Sequence, residues 1–370
     1  MKKYLLLMAT IVVAIAMAAC GGSSSTTAAP ETTAAADTAA ATDGGVTGSV
    51  VSPAQDASIR LEWVKQTQFA GFLVADAMGW YKDAGVNVTL KPAGPSLFPA
   101  QQVAIGNDQF GVLTPLSTVG ALDSGAPLVT VMQYHQDSPS AYVAKKSSGI
   151  TTLADAKGKR VGTWFGGNEF QIIAMLESAG MTKDDVELVS QGYTVVPFLQ
   201  DKYELSQVTV YNELGLILDK IPADQLNIIR PSDYGVAAIG NGVITTQEYM
   251  DAHPDVVQVV VEQSIRGWKW ALEHPEEAAQ IAVDANPDLT LDHQIFMMKE
   301  NAKLVCVGPT LDPTKGIGWV DPAAFDVASK ILFDSAQIKA MPDMTKDTTN
   351  KFVEATPIEW RTVDCTPYAK

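Results

Sequence analysis

Cysteine and histidine are scarce in this chain of 370 residues, which holds three of the first and four of the second. The histidines, His135, His253, His274 and His293, are scattered. None pairs with another at the three- or four-residue spacing that puts two metal ligands on one helix face. No cysteine cluster, nucleophile elbow or Walker loop is present, so the sequence offers no support for hydrolysis, redox work or nucleotide handling. Basic residues are also few. Lys and Arg number 26 against 42 Asp and Glu, a formal net charge of -16. Phosphate contacts need Lys and Arg, so nucleic acid is excluded as a partner.

One long apolar run exists, at the start. Lys2 and Lys3 precede "YLLLMATIVVAIAM", the pattern of an export signal. The small residues of "MAAC" and the glycines after Cys20 resemble the lipobox of bacterial lipoproteins. That resemblance implies a signal over residues 1–20, removal of it, and lipidation of Cys20 as a membrane anchor. Residues 21–56 are rich in Ala, Thr, Ser and Gly. They cannot bury enough apolar surface to offset their ordering entropy, and read as a disordered tether. The two remaining cysteines, Cys306 and Cys365, are a possible disulfide in an exported protein.

From Ile59 the chain alternates between the two hydrophobic periods. "IRLEWV" reads as a strand, "FAGFLVADAMGWYKDAG" as an amphipathic helix, and "VNVTLKPAG" as a second strand with strict alternation. The rhythm continues to "PLVTVMQYH". A second βα series follows, from "AYVAKK" through "LSQVTVY" and the extended run "LNIIRPSDYGV". Beyond Ile244 the chain turns strongly helical. This is an α/β chain with two mostly parallel sheets flanked by helices. A lobe over residues 141–237 is expected as an insertion in a discontinuous lobe over 57–140 and 238–370, the two crossings forming a hinge. Ligands of open α/β sheets sit beyond the C-terminal ends of the strands, so the cleft between the lobes is the expected site.

The segments "QFAGFLVADAMGWYKDAGVNVTLKPAGPS", "GITTLADAKGKRVGTWFGGNEF", "TVYNELG" and "HPEEAAQIAVDANPDL" resemble the solute-binding proteins of ABC importers. The group is the one that binds thiamine pyrimidine, riboflavin, sulfonate and nitrate. The resemblance covers roughly residues 59–341 and implies a two-lobed periplasmic-binding-protein type II fold. It also implies a small-molecule ligand, an ABC permease as partner, no cofactor, and a place at the outer face of the cytoplasmic membrane or in the periplasm. Eukaryotic relatives synthesise the thiamine pyrimidine with a cysteine-rich motif, which this chain lacks.

Residues at the expected strand ends are the candidate ligand contacts. From the first lobe these are Gln66, Gln68, Phe69 and Phe72, then Pro95 and Ser96, then Thr114, Gln133, Tyr134 and Asp137. From the second they are Trp164, Gly166, Gly167, Asn168 and Glu169, then Tyr211, Asn212 and Glu213. The set is aromatic and amide-rich, and its only charges are acids. A buried anion needs cationic or aligned N–H donors. A flat, neutral or weakly basic heterocycle instead needs rings to stack on and amides or carboxylates to read its edge. Glu213 is the expected acceptor, with Trp164 and Tyr211 as stacking faces. Phe69 and Phe72 fit a buried helix face equally well, and Glu169 fits a helix dipole. Trp63, Trp268, Trp270 and Trp319 read as packing residues. The resemblance therefore implies capture of riboflavin or a thiamine-pyrimidine precursor. A sulfonate- or nitrate-type anion is the alternative, and a pyrimidine-biosynthesis enzyme on the same fold is the second, with His135 its one candidate histidine.

Overall fold

Period-two hydrophobic segments alternate with helical ones along the chain, and the strands sort into two five-stranded sheets. The computed structural model describes residues 48–94 and 96–369. The expected signal, Cys20 and the tether up to residue 47 lie outside the described residues, as does Pro95.

The chain opens with β1 (Gln55–Arg60), α1 (Ala70–Ala77), α2 (Trp80–Asp83), β2 (Val86–Lys91), α3 (Pro99–Ala104), β3 (Phe110–Leu113), α4 (Pro115–Asp123) and β4 (Leu128–Gln133). It crosses to the second sheet with β5 (Ser140–Lys145), β6 (Arg160–Thr163), α5 (Glu169–Ser178), β7 (Glu187–Ser190), α6 (Val196–Leu199), β8 (Leu205–Thr209), α7 (Glu213–Leu218) and β9 (Leu226–Ile229). It then returns with β10 (Gly242–Thr246) and the helices α8 (Gln247–Ala252), α9 (Pro254–Glu273), α10 (Pro275–Ala285), α11 (Leu291–Val305) and α12 (Asp326–Asp334).

The sheet orders are β2-β1-β3-β10-β4 and β7-β6-β8-β5-β9. In each sheet four strands run the same way and one runs against them, so the sheets are mostly parallel, as expected, with a single reversed strand apiece. β10 runs antiparallel between β3 and β4, and β5 runs antiparallel between β8 and β9. β10 carries little strand signal of its own, because "GVITT" is short and runs directly into helix. Thr246 caps that helix, its side chain accepting from the Tyr249 N–H.

Two further boundaries move. Residues 48–56 belong to the folded body rather than to the tether. Ser49 donates its N–H to Glu262 Oε1 at 2.7 Å and its hydroxyl to Oε2 at 3.0 Å, and Val51 is buried. Hydrogen bonding, not composition, recruits this polar stretch. The first strand also starts earlier than expected and stops at Arg60, so residues 61–66 leave the sheet as a loop. The expected long first helix breaks at Gly79, whose φ of 74° is a left-handed conformation that costs glycine little.

The core of the first sheet is built on α1 and α9, which cross at Gly71 and Gly267 with their backbones nearly touching. Trp268 is fully buried beside them and stacks on Tyr134, ring centroids 4.8 Å apart. The helices of the returning segment reach both sheets. Phe296 of α11 lies against Gly215 of α7, and α12 shares an apolar cluster with Leu116 of α4 and Ala174 of α5.

Cys306 and Cys365 are joined by a disulfide that closes a loop 59 residues long in sequence separation. Loop-closure entropy for such a span has a ceiling of about 4 kcal/mol. The tail is also held by Tyr368, whose hydroxyl donates to the Leu272 carbonyl at 2.5 Å. Replacing both cysteines by serine is therefore expected to cost about 2 kcal/mol, the low end of the usual range. Thermal unfolding with and without reductant checks this, and the wild type should lose the same stability on reduction.

Candidate functional site

The loops that leave the C-terminal ends of β1 and β3 in one sheet, and of β6 and β8 in the other, surround a cavity of about 610 Å³. Its polar end begins at the loop after β1. Gln66 donates its amide to Gln68 Oε1 at 2.9 Å, Gln68 donates to Asn241 Oδ1 at 3.2 Å, and Asn241 donates to Glu62 Oε2 at 2.5 Å. Three amides thus point their N–H groups the same way and finish on a carboxylate. The loop is pinned from behind by α11. Gln294 Oε1 accepts from both the backbone N–H and the hydroxyl of Thr67, each at 2.9 Å.

This chain of bonds leaves Oε1 of Glu62 and Oε1 of Gln66 without a bond among the described residues, both on cavity-lining side chains. Amide nitrogens keep a second hydrogen when they give one. The edge therefore offers acceptors and donors side by side. Loss of water in the cleft raises the Glu62 pKa to about 7, with the Asn241 bond opposing that rise. Ionisation of this carboxyl falls near neutral pH, where a small change of environment decides its charge.

The opposite wall carries a second acid with its oxygens already engaged. Glu213 Oε2 accepts from the Thr209 N–H at 3.0 Å and the Thr209 hydroxyl at 2.6 Å, while Oε1 accepts from Asn212 Nδ2 at 2.8 Å. Asn212 Oδ1 faces His293 Nε2 at 2.9 Å, so that imidazole nitrogen carries the hydrogen. Burial raises the Glu213 pKa, and these bonds oppose the rise. Glu213 braces the β8–α7 turn by tying Thr209 to Asn212, and His293 of α11 holds Asn212 from the other side. Removing it is expected to weaken ligand binding tenfold or more, because the wall holding Tyr211 loses its brace. Calorimetry on Glu213→Ala, with thermal unfolding as a control, measures the effect.

No Lys, Arg or His lines the cavity among the described residues, whereas three glutamates do: Glu62, Glu169 and Glu213. The helix starts nearby already hold acceptors from the chain. Thr114 accepts from the Ser117 N–H at 3.4 Å at the start of α4, and Glu169 accepts from the Gly167 N–H at 2.7 Å at the start of α5. An incoming anion would find these amide donors taken and carboxylates beside them.

Aromatic side chains close the mouth. Trp63, from the β1 loop, lies 4.8 Å from Tyr193 and 6.2 Å edge-on from Trp164, ring centroid to centroid. Phe98 crosses to Gly166, where a Cβ would approach its ring to 2.6 Å. Only glycine permits that approach, and φ at Gly166 is 101°.

A family model described as NMT1/THI5 like matches residues 66–278. The chain belongs to the NMT1/THI5-like family. Two relatives of this NMT1/THI5-like chain carry descriptive names. The riboflavin-binding protein RibY of Chloroflexus aurantiacus is 25% identical over 317 residues, covering 81% of this chain and 86% of that protein. A Legionella pneumophila protein named 4-amino-5-hydroxymethyl-2-methylpyrimidine phosphate synthase is 27% identical over 236 residues, covering 63% of this chain and 74% of it. Among solved structures, the alkanesulfonate-binding protein SsuA from Xanthomonas axonopodis pv. citri matches with a TM-score of 0.62 at 14% identity, covering 81% of this chain and 99% of that one. The fold of this NMT1/THI5-like protein is that of the periplasmic binding proteins.

The structure brings Gln66, Gln68 and Thr114 of the expected contacts to the cavity wall from one sheet. From the other come Trp164, Gly166, Gly167, Asn168 and Glu169, with Tyr211, Asn212 and Glu213. It places the remainder elsewhere. Phe69 and Phe72 are wholly buried in the core, where α1 packs on α9. Tyr134 is buried between Phe72 and Trp268. Gln133 is buried and ties the two crossings together, donating to the carbonyls of His135 and Gly240, each at 2.9 Å. Asp137 accepts from the Ser138 N–H at 2.7 Å in a local turn, and Ser96 is exposed beside the mouth. These residues lie in or shortly after strands, or at the start of the following helix, where proximity in sequence to a strand end does not decide which way a side chain points.

Glu62, Trp63 and Asn241 were missed as contacts. By hydrophobic period Glu62 and Trp63 belong to the first strand, and Trp63 reads as packing. Asn241 arrives from the return crossing, 179 residues from its partner Glu62. The signal that existed was an acid beside a tryptophan directly before the amide-rich loop.

Proposed function

We propose that this protein is the extracytoplasmic binding component of an ABC importer, and that it holds a small uncharged heteroaromatic compound of the flavin or thiamine-pyrimidine kind. The observation that carries the reading is the cavity's charge: three carboxylates and no cation among its described lining residues. Glu62 accepts a ring N–H, the Gln66–Gln68–Asn241 chain reads the neighbouring ring positions, and Trp63, Trp164 and Tyr211 supply faces. Each stacked face adds about 0.5–1.5 kcal/mol beyond area burial. The lobes are residues 57–140 with 238–370, joined by residues 48–56, and residues 141–237. They close about the paired crossings, where the His135 N–H donates to the Asn241 carbonyl at 3.2 Å and the Gly240 N–H to the Asp137 carbonyl at 3.1 Å. A ligand that touches both walls has more affinity for the closed form and shifts the population toward it. Lipid anchoring through Cys20 and docking to a permease complete the proposal.

The names of RibY and of the pyrimidine synthase both point to nitrogen heterocycles. The enzyme alternative draws on the second name, and His135 does not favour it. That imidazole is fully buried, its Nδ1 accepts from the Asn241 N–H at 3.3 Å, and its Nε2 bonds Asn301 at 3.0 Å. Burial lowers its pKa to about 3, so it is neutral at any physiological pH. The decisive experiment is mass spectrometry of what co-purifies with the chain from residue 21 onward, followed by calorimetry with riboflavin, the hydroxymethyl pyrimidine and an alkanesulfonate. Binding of the sulfonate alone would overturn the reading.

A further inference from the structure

The cavity is chemically polarised. Most of its amide and carboxylate groups lie at the Glu62 end, on the wall of the β8–α7 turn and at the start of α5, with Gln101 and Gln337 the two amides outside these groups. The cavity then continues between α3 and α4. There the lining is mainly Ala100, Ala104, Leu116, Gly120 and Ala121, with Leu332 of α12 across the opening and the polar Gln101, Ser117, Ser124 and Gln337 among them. Small side chains on two facing helices leave room between them. A Cβ built on Gly120, in the middle of α4, would meet no atom within 4 Å, so the space beside it is open. Most of the pocket's small apolar side chains lie on this arm, and it is continuous with the polar end.

We propose that this apolar arm is a second subsite that takes the hydrocarbon edge of a multi-ring ligand whose polar edge is read by Glu62. The inference rests on the heteroaromatic reading of the polar end and narrows it. A single pyrimidine satisfies Glu62 and the amides but leaves the arm unfilled. A fused three-ring heterocycle with a polar pyrimidine-type edge and an apolar benzenoid edge spans both. Apolar burial scales with the area removed from water, so filling the arm adds affinity that the single ring lacks. The volume agrees in scale: about 610 Å³ lies within the range of pockets for drug-sized ligands. Gly120 thereby becomes a residue that sets ligand size.

The test compares lumiflavin, a three-ring probe, with 4-amino-5-hydroxymethyl-2-methylpyrimidine, a one-ring probe, by calorimetry on the chain from residue 21 onward. The wild type is expected to bind lumiflavin at least tenfold tighter than the pyrimidine. Gly120→Leu, which projects into the arm, is expected to weaken lumiflavin tenfold or more and so collapse that ratio. Gly120→Ala fills less of the arm, adds no clash, and is expected to give a smaller loss with thermal stability retained. If Gly120→Leu binds lumiflavin as the wild type does while Glu62→Gln does not, the arm is not a subsite and the polar-end reading stands. Tighter binding of the pyrimidine by the wild type also overturns the inference. Binding of neither probe overturns both the inference and the reading beneath it.

Discussion

Glu62→Gln is expected to weaken binding of a heteroaromatic probe such as lumiflavin by tenfold to a hundredfold. A hydrogen bond to a charged group contributes about 1.5–3 kcal/mol, and each 1.4 kcal/mol is tenfold in affinity. Glutamine keeps the size and the Asn241 contact but loses the charge. The pH profile separates this role from a merely structural one. Burial raises the Glu62 pKa from its ordinary 4.5 to about 7, so the folded protein holds the proton more tightly than the unfolded chain does. Its contribution to the stability of the empty protein is complete below about pH 4.5 and is lost as pH rises through about 7. Ligand binding by the carboxylate runs the opposite way. Affinity is highest above pH 7 and falls about tenfold per unit below it, limited by proton linkage. Isothermal titration from pH 5.5 to 8 should show that slope in the wild type and a flat line in Glu62→Gln. A wild-type profile without slope removes Glu62 from ligand recognition.

Gly267→Ala is expected to destabilise the protein by about 3 kcal/mol, the upper end for overpacking. Its Cβ would collide with the Gly71 carbonyl oxygen, a backbone atom that cannot rotate aside as a side chain does. The helices α1 and α9 must then separate. The residues that begin α1 follow directly on the Gln66–Gln68 loop, so the shift reaches the polar end of the cavity. Chemical denaturation should show a lowered midpoint, and calorimetry a weaker ligand. Gly71→Ala is expected to destabilise as well, because its Cβ would meet the root of the Trp268 ring, which is fully buried and stacked on Tyr134. Equal stability of Gly267→Ala and wild type would mean that the helix crossing is not the tight element it is here.

Much of the fold was legible in the order of residues. Hydrophobic period alone separates Val86, Val88 and Leu90 on a strand from the helix before it. Thr152 and Asp155 form the capping box that their spacing suggests. The turn glycines and N-terminal prolines mark element ends for reasons local to the backbone. Loop chemistry was legible in kind. The chain shows amides, aromatics and acids at strand ends, with no cation among them, and eleven of the eighteen residues expected there line the cavity.

Tertiary structure decided the rest. Which of two adjacent residues faces a cleft depends on the strand's last paired residue. Ending β1 at Arg60 rather than at Val64 moves Glu62 and Trp63 from sheet to site. The antiparallel β10 exists because a short, weakly marked segment finds two partners far away in sequence, an interaction no local period reveals. The relative roles of Glu62 and Glu213 follow from what their oxygens meet: a distant asparagine on one oxygen of Glu62, and a full set of near neighbours around Glu213. Local chemistry is written in sequence because it acts between near neighbours. Site geometry is not, because burial and long-range pairing set it only once the whole chain has closed.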